Sequence, residues 1–243
     1  MPPPATIGRL AVWHLPAHPC GMDWIEFALA MLAFLASHRI PALAGLRGRV
    51  VARIGAWGYM VLFSAVSLLL LWWLVAAAGR APFVPLWDQQ PWHRWAVNLA
   101  MPLAILLAAL GTGAANPFAF EGRAQGFDPA RPGIAGITRQ PLLWALALWS
   151  GAHLLVNGDL AHVLLFGPFL AMALAGMPLV ERRRRRAMGP AEWARLTVHT
   201  ALVPVTLSRR WPSPPWARLG LAVLVWAAVL HLHGPVIGVL PLP

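Results

Sequence analysis

Apolar runs of about fifteen to twenty-five residues, separated by short polar stretches, recur along the whole chain. The first, Trp24 to His38, opens after Asp23 and stops at Arg39. A bilayer core needs ~20 apolar residues in a helix, so Ile40 to Leu46 is expected to continue this span past Pro41. Arg47, Arg49 and Arg53 then mark an amphipathic connector. The second span is Trp57 to Ala78, with Trp57 and Tyr59 as interface anchors. A polar, proline-bearing loop, Gly79 to Gln90, leads to a third span from Trp92 to Ala115. Asn116 to Gln140 is rich in glycine and proline and reads as a loop. Pro141 to Val156 is the fourth span, because proline suits the first turn of a helix, where its missing N–H would be unpaired anyway. Asn157-Gly158-Asp159 makes a tight turn, and Asp159 caps a fifth span, Leu160 to Val180. After Arg182–Arg186, Met188-Gly189-Pro190 opens a short helix, Ala191 to Leu202, whose Trp193 and Leu196 suit a membrane surface. A proline-rich hinge precedes the last span, Trp216 to about Leu240. The pattern predicts an all-α, polytopic membrane helical bundle of about six transmembrane helices plus a short interfacial helix.

Composition agrees. Hydrophobic residues make up 59% of the 243 and charged residues 11%, against roughly 25% charged in soluble domains. So little charge cannot cover a soluble surface of this size, and the excess apolar area must meet the lipid bilayer. The net charge is +11, carried by 19 arginines against 8 acids, with no lysine. The arginines fall between apolar runs, which marks them as topology signals facing anionic lipid rather than a nucleic-acid surface. Sixteen of the nineteen lie after spans one, three and five; only Arg9, Arg80 and Arg94 lie on the other side. The positive-inside rule then places both termini outside the cytoplasm. Cys20 is the only cysteine, which excludes an internal disulfide, an iron–sulfur cluster and a covalent c-type haem. Residues 1–21 are proline-rich and read as a disordered extension, with Met22 as the alternative start; 22–210 form the membrane domain and 211–243 the hinge and last helix.

Histidine carries the candidate chemistry. Nine are present, and His38 and His153 sit inside apolar helices with no adjacent acid. Ionisable groups within a membrane are costly and usually face a cavity, a partner or a cofactor. Trp149, His153 and Asn157 are spaced i, i+4, i+8 and share one helix face. That face suits a flat aromatic ligand, and it equally suits packing between helices. His38 reads either as a residue near the membrane surface or as a second imidazole. Together the two could ligate one haem iron, as helix-borne histidines do in membrane cytochromes. Counted along their helices, His153 lies ~16 Å from one end of its span and His38 ~22 Å from the opposite membrane face, ~8 Å apart in depth. Asn157 and Asp159 read as turn and cap. No Ser-His-Asp spacing, zinc-protease motif, phosphate loop or dinucleotide fingerprint is present.

Several stretches resemble the NnrU family of bacterial membrane proteins, to which zeta-carotene isomerase is related. They are F-L-A-S-H-R-I-P-A-L-A-G-L-R-G-R-V-V-A-R-I-G from Phe34, Y-M-V-L-F-S-A-V-S-L from Tyr59, T-R-Q-P-L-L-W-A-L-A-L-W-S-G-A-H-L-L-V-N-G-D-L-A from Thr138, L-L-F-G-P-F-L-A from Leu164 and G-P-A-E-W-A-R-L from Gly189. The resemblance implies a bacterial inner-membrane protein linked to denitrification and nitric oxide metabolism. For its isomerase relatives it implies haem b and a cis–trans shift of a double bond in an apolar polyene. Carried over by position, His38 and His153 are the implied haem-iron ligands, with Trp149, Asn157 and Asp159 in support. The chain departs from the family at Gln140, where Arg-His-Pro is usual and Arg139-Gln140-Pro141 stands here. Three expectations follow: a haem b accessory or redox protein of nitrogen-oxide metabolism, a haem-dependent carotenoid isomerase, or a cofactor-free membrane scaffold.

Overall fold

A computed structural model describes residues 20–43, 45–120, 122–204, 210–213 and 215–242, with the backbone alone at 20–22 and 40–43. The expected extension, with His14 and His18, lies outside the described residues apart from the backbone of residues 20 and 21. Seven α-helices and one 3₁₀ turn account for the regular structure there: α1 (Cys20–Leu43), α2 (Leu46–Arg80), α3 (Pro91–Gly111), the turn Gly133–Gly136, α4 (Pro141–Asn157), α5 (Leu160–Met188), α6 (Pro190–Thr197) and α7 (Trp216–Ile237). Among the described residues four helices, α2, α3, α5 and α7, are long and apolar enough to cross a membrane, and α4 is apolar but only 17 residues long. The chain divides into two compact units, Met1–Pro82 and Phe83–Pro243.

In the first unit α1 runs antiparallel to α2. Phe27, Ala30 and Phe34, one face of α1, are buried, as are Leu74, Ala77 and Ala78 of α2. The two alanines let the backbones approach closely. Near the start of α1, Glu26 accepts hydrogen bonds from Trp73 Nε1 (3.0 Å) and from Arg80 through Nε (3.1 Å) and a terminal nitrogen (2.5 Å). The expected connector and second span form one helical run, broken where Gly55 takes φ 76° and ψ 168°, a conformation that L side chains avoid. The basic segment of Arg47, Arg49 and Arg53 is therefore a helical arm ahead of the apolar rod.

In the second unit α4 packs between α3 and α5, and α7 packs on α3. Buried Leu107 and Leu110 of α3, Ile134 of the turn and Ala145 of α4 form one cluster; Ala147 of α4 with Ala173 and Met177 of α5 form another. Three element ends differ from the sequence reading. The third helix stops at Gly111, not Ala115, because the Thr112 N–H and hydroxyl both bond the Ala108 carbonyl and Gly113 turns the chain at φ 65°. The fifth continues through the arginine run to Met188, because arginine is a good helix former and favours the negative C-terminal end. The sixth ends at Thr197, because residues 200–202 instead bond the loop before α4. There Arg139 N–H donates to the Ala201 carbonyl (2.7 Å), and Thr138 Oγ1 and Trp144 Nε1 both donate to the Leu202 carbonyl (2.7 and 2.9 Å). Farther along, Gly133 N–H donates to the Arg210 carbonyl. The Asn116–Gln140 loop is thus an integral part of the unit, with Phe118, Ile134 and Ala135 buried.

Candidate functional site

Helix α4 places Trp149, His153 and Asn157 on one face, as their spacing predicts. His153 Nδ1 lies 2.8 Å from the Trp149 carbonyl, and Asn157 Nδ2 donates to the His153 carbonyl at 2.7 Å. A carbonyl has no proton to give, so Nδ1 of His153 carries the hydrogen and Nε2 keeps its lone pair. Phe166 of α5 stands against both aromatic groups, 5.1 Å from the Trp149 ring and 5.2 Å from the imidazole; Phe169 closes on Trp149 at 5.7 Å.

The end of this face is fixed by the Asn157-Gly158-Asp159 turn. Gly158 takes φ 67°, which glycine adopts freely, and an added Cβ would meet the Trp87 carbonyl. Asp159 caps α5 by accepting the His162 N–H at 3.2 Å. Its other carboxylate oxygen accepts from His162 Nδ1 at 2.6 Å. Burial of Asp159 disfavours its charge, but the His162 hydrogen bond and charge, with the N–H groups of His162 and Ala161, outweigh this and hold its pKa below the ordinary value. The His162 ring stacks on Phe166, the ring that also packs on Trp149 and His153, at 6.1 Å. Residues 84–89 close over the turn. Leu86 and Trp87 N–H donate to the Gly158 carbonyl, Leu160 N–H to Val84, Trp87 Nε1 to the Leu155 carbonyl and Gln89 Nε2 to the Val156 carbonyl. The Asp159–His162 pair was not foreseen; a histidine three residues after a capping aspartate was the available signal.

Beside this lies an open groove of ≈ 430 Å³ lined by Trp87, His93, Gly151, Leu154 and Leu155. His93 is 4% exposed. It completes a reciprocal cap with Gln90, whose N–H donates to His93 Nδ1 at 3.2 Å. Its proton therefore sits on Nε2, the opposite tautomer to His153.

His38 belongs to the first unit. Its Nδ1 lies 2.8 Å from the Phe34 carbonyl, repeating the geometry of His153, and its ring packs on Phe34 and Phe63 at 4.5 and 5.3 Å. Ser37 Oγ gives its own proton to Phe34 and accepts from His38. Again Nδ1 is the nitrogen tied to the backbone.

Among the described residues no group of three or more His, Cys, Asp or Glu could hold a bare metal ion. A tetrapyrrole brings four equatorial nitrogens and asks the protein only for axial ligands. Each imidazole, within its own unit, has Nδ1 tied to a backbone carbonyl, which leaves Nε2 as the nitrogen that could meet such a group.

Gln140, in the place of the family histidine, is 1% exposed at the far end of α4, thirteen residues and ~20 Å along the helix from His153. Its Nε2 donates to the Phe118 carbonyl at 3.0 Å, while Oε1 is buried without a hydrogen-bond partner. The adjacent Arg139 pairs with Glu181, donates to Thr200 Oγ1 at 3.0 Å and lies over the Trp193 ring at 5.7 Å. These residues stitch the loop to α5 and α6.

The family model described as NnrU protein matches residues 26–241. No curated protein and no solved structure matches the chain. The chain belongs to the NnrU family.

Proposed function

We propose that this NnrU family protein is a haem b-binding membrane protein with an accessory or redox role in nitrogen-oxide metabolism. His153, in the second unit, and His38, in the first, are each candidates to hold the haem iron. The observation that carries the reading is the backbone tether the two imidazoles share, each Nδ1 2.8 Å from the carbonyl four residues earlier. That tether fixes the tautomer, orients the ring and raises the basicity of Nε2. The haem would supply one-electron chemistry. Trp149 and Phe166 would exclude water beside His153, and Asn157 and Asp159 would hold the helix end that carries it. Six spans, with both termini outside the cytoplasm of a bacterial inner membrane, accord with the arginine distribution.

The test is an absorption spectrum of purified protein made with ample haem, oxidised and reduced. A Soret band that shifts on reduction, and that is lost in His153→Ala, is expected. Protein without a Soret band overturns the reading.

A further inference from the structure

The run Arg182–Arg186 is divided by its helix. Arg184 turns inward and donates to the Ala119 and Phe120 carbonyls at 3.1 and 2.8 Å, pinning the loop before α4. Arg182, Arg185 and Arg186, spaced i, i+3, i+4, line one cleft of ≈ 290 Å³ completed by Gly189 and Pro190. Both nearby acids are engaged elsewhere: Glu181 pairs with Arg139, and Glu192 holds Arg195 in a two-pronged ion pair at 2.7 and 2.8 Å. Among the described residues no acid pairs with the three cleft arginines. The cleft floor is the break between two helices, where Gly189 takes φ 81° and the first turn of α6 presents its positive end.

Depth names the occupant. The apolar stretch Leu160–Val180 has 21 residues and rises ~32 Å, the thickness of a hydrocarbon core. The next turn of α5 therefore lies at the level of lipid phosphates. We infer that Arg182, Arg185 and Arg186 form a binding site for the phosphodiester headgroup of an anionic membrane lipid. Guanidinium forks suit phosphate oxygens in pairs, and the cleft is wide enough for one headgroup.

Full-length protein in phosphatidylcholine vesicles, with traces of spin-labelled phosphatidylglycerol or phosphatidylcholine, tests this. Wild type is expected to prefer the anionic lipid. Arg185→Gln should weaken that preference by roughly fivefold, and the triple glutamine variant of 182, 185 and 186 should abolish it. Arg183→Gln, which removes equal charge beside the cleft, should leave it intact. An equal loss in Arg183→Gln, or an unchanged preference in the triple variant with a wild-type circular dichroism spectrum, overturns the site. Should the triple variant misfold, the contrast between Arg185→Gln and Arg183→Gln decides. Inorganic phosphate that erases the preference at constant ionic strength would reassign the cleft to a free anion and overturn the lipid assignment.

Discussion

Asp159 holds His162 at two points: one carboxylate oxygen accepts the backbone N–H at 3.2 Å and the other takes the ring Nδ1–H at 2.6 Å. Helix cap and side-chain pair are thus the same residue. Asp159→Ala should cost about 1–2 kcal/mol and release the His162 ring from its seat on Phe166. Asp159→Asn, which keeps one acceptor for the cap, should cost less. Thermal unfolding in detergent measures both.

The same pair sets a pH dependence. A carboxyl whose folded pKa is depressed contributes stability that is fully present above its unfolded pKa and lost as pH falls through the folded value. For Asp159 the depression places that loss below about pH 4. The stability difference between wild type and Asp159→Asn should shrink as pH falls below about 4. Parallel unfolding curves from pH 3 to 7 in about half-unit steps read this out.

Gly158→Ala combines a left-handed backbone with a Cβ aimed at the Trp87 carbonyl. The conformational penalty alone is about 1–2 kcal/mol, and the collision also drives residues 84–89 off the turn. Hydrogen exchange should accelerate at Leu86, Trp87 and Leu160, whose amides bond across this contact, while the amides of α3 keep their protection.

Gln140→Ala removes the donor to the Phe118 carbonyl and opens a cavity, so it should destabilise by about 1–3 kcal/mol. Gln140→His restores the residue usual in the family. One ring N–H can serve Phe118, and the unpartnered Oε1 is not needed, so its cost should stay under about 1 kcal/mol. A larger loss in the histidine variant than in the alanine variant would contradict this account.

His153→Ala should abolish the Soret band yet leave helix content unchanged, because Asn157 bonds the backbone carbonyl of residue 153 and not its ring. Absorption and circular dichroism on the same sample separate loss of ligand from loss of fold.

Local chemistry was legible in the sequence and distant partnership was not. Pro141 at the first turn of α4, Asp159 as a cap and the shared face of Trp149, His153 and Asn157 all follow from spacing within one or two helical turns, and the structure repeats them. The lengths of α5 and α6 did not follow. The apolar pattern marks where the fifth span ends at Val180, but the helix runs on to Met188 because nothing in arginine stops a helix. Residues 198–202 continue an apolar pattern but are claimed by Thr138, Arg139 and Trp144, whose hydrogen bonds no local rule contains. The burial of His93 rests on its reciprocal bond with Gln90 and on tertiary packing that its sequence neighbours do not signal.

The strap from Gly133 to Arg139 takes its partners from Ala201, Leu202 and Arg210. Thr138 meets a partner made 64 positions later. During synthesis the entrance to α4 therefore waits for its bonds to residues 201, 202 and 210 until the ribosome has passed α6 and is about to deliver α7. Chains truncated before residue 200 would carry that entrance unfinished, as a target for quality-control proteases.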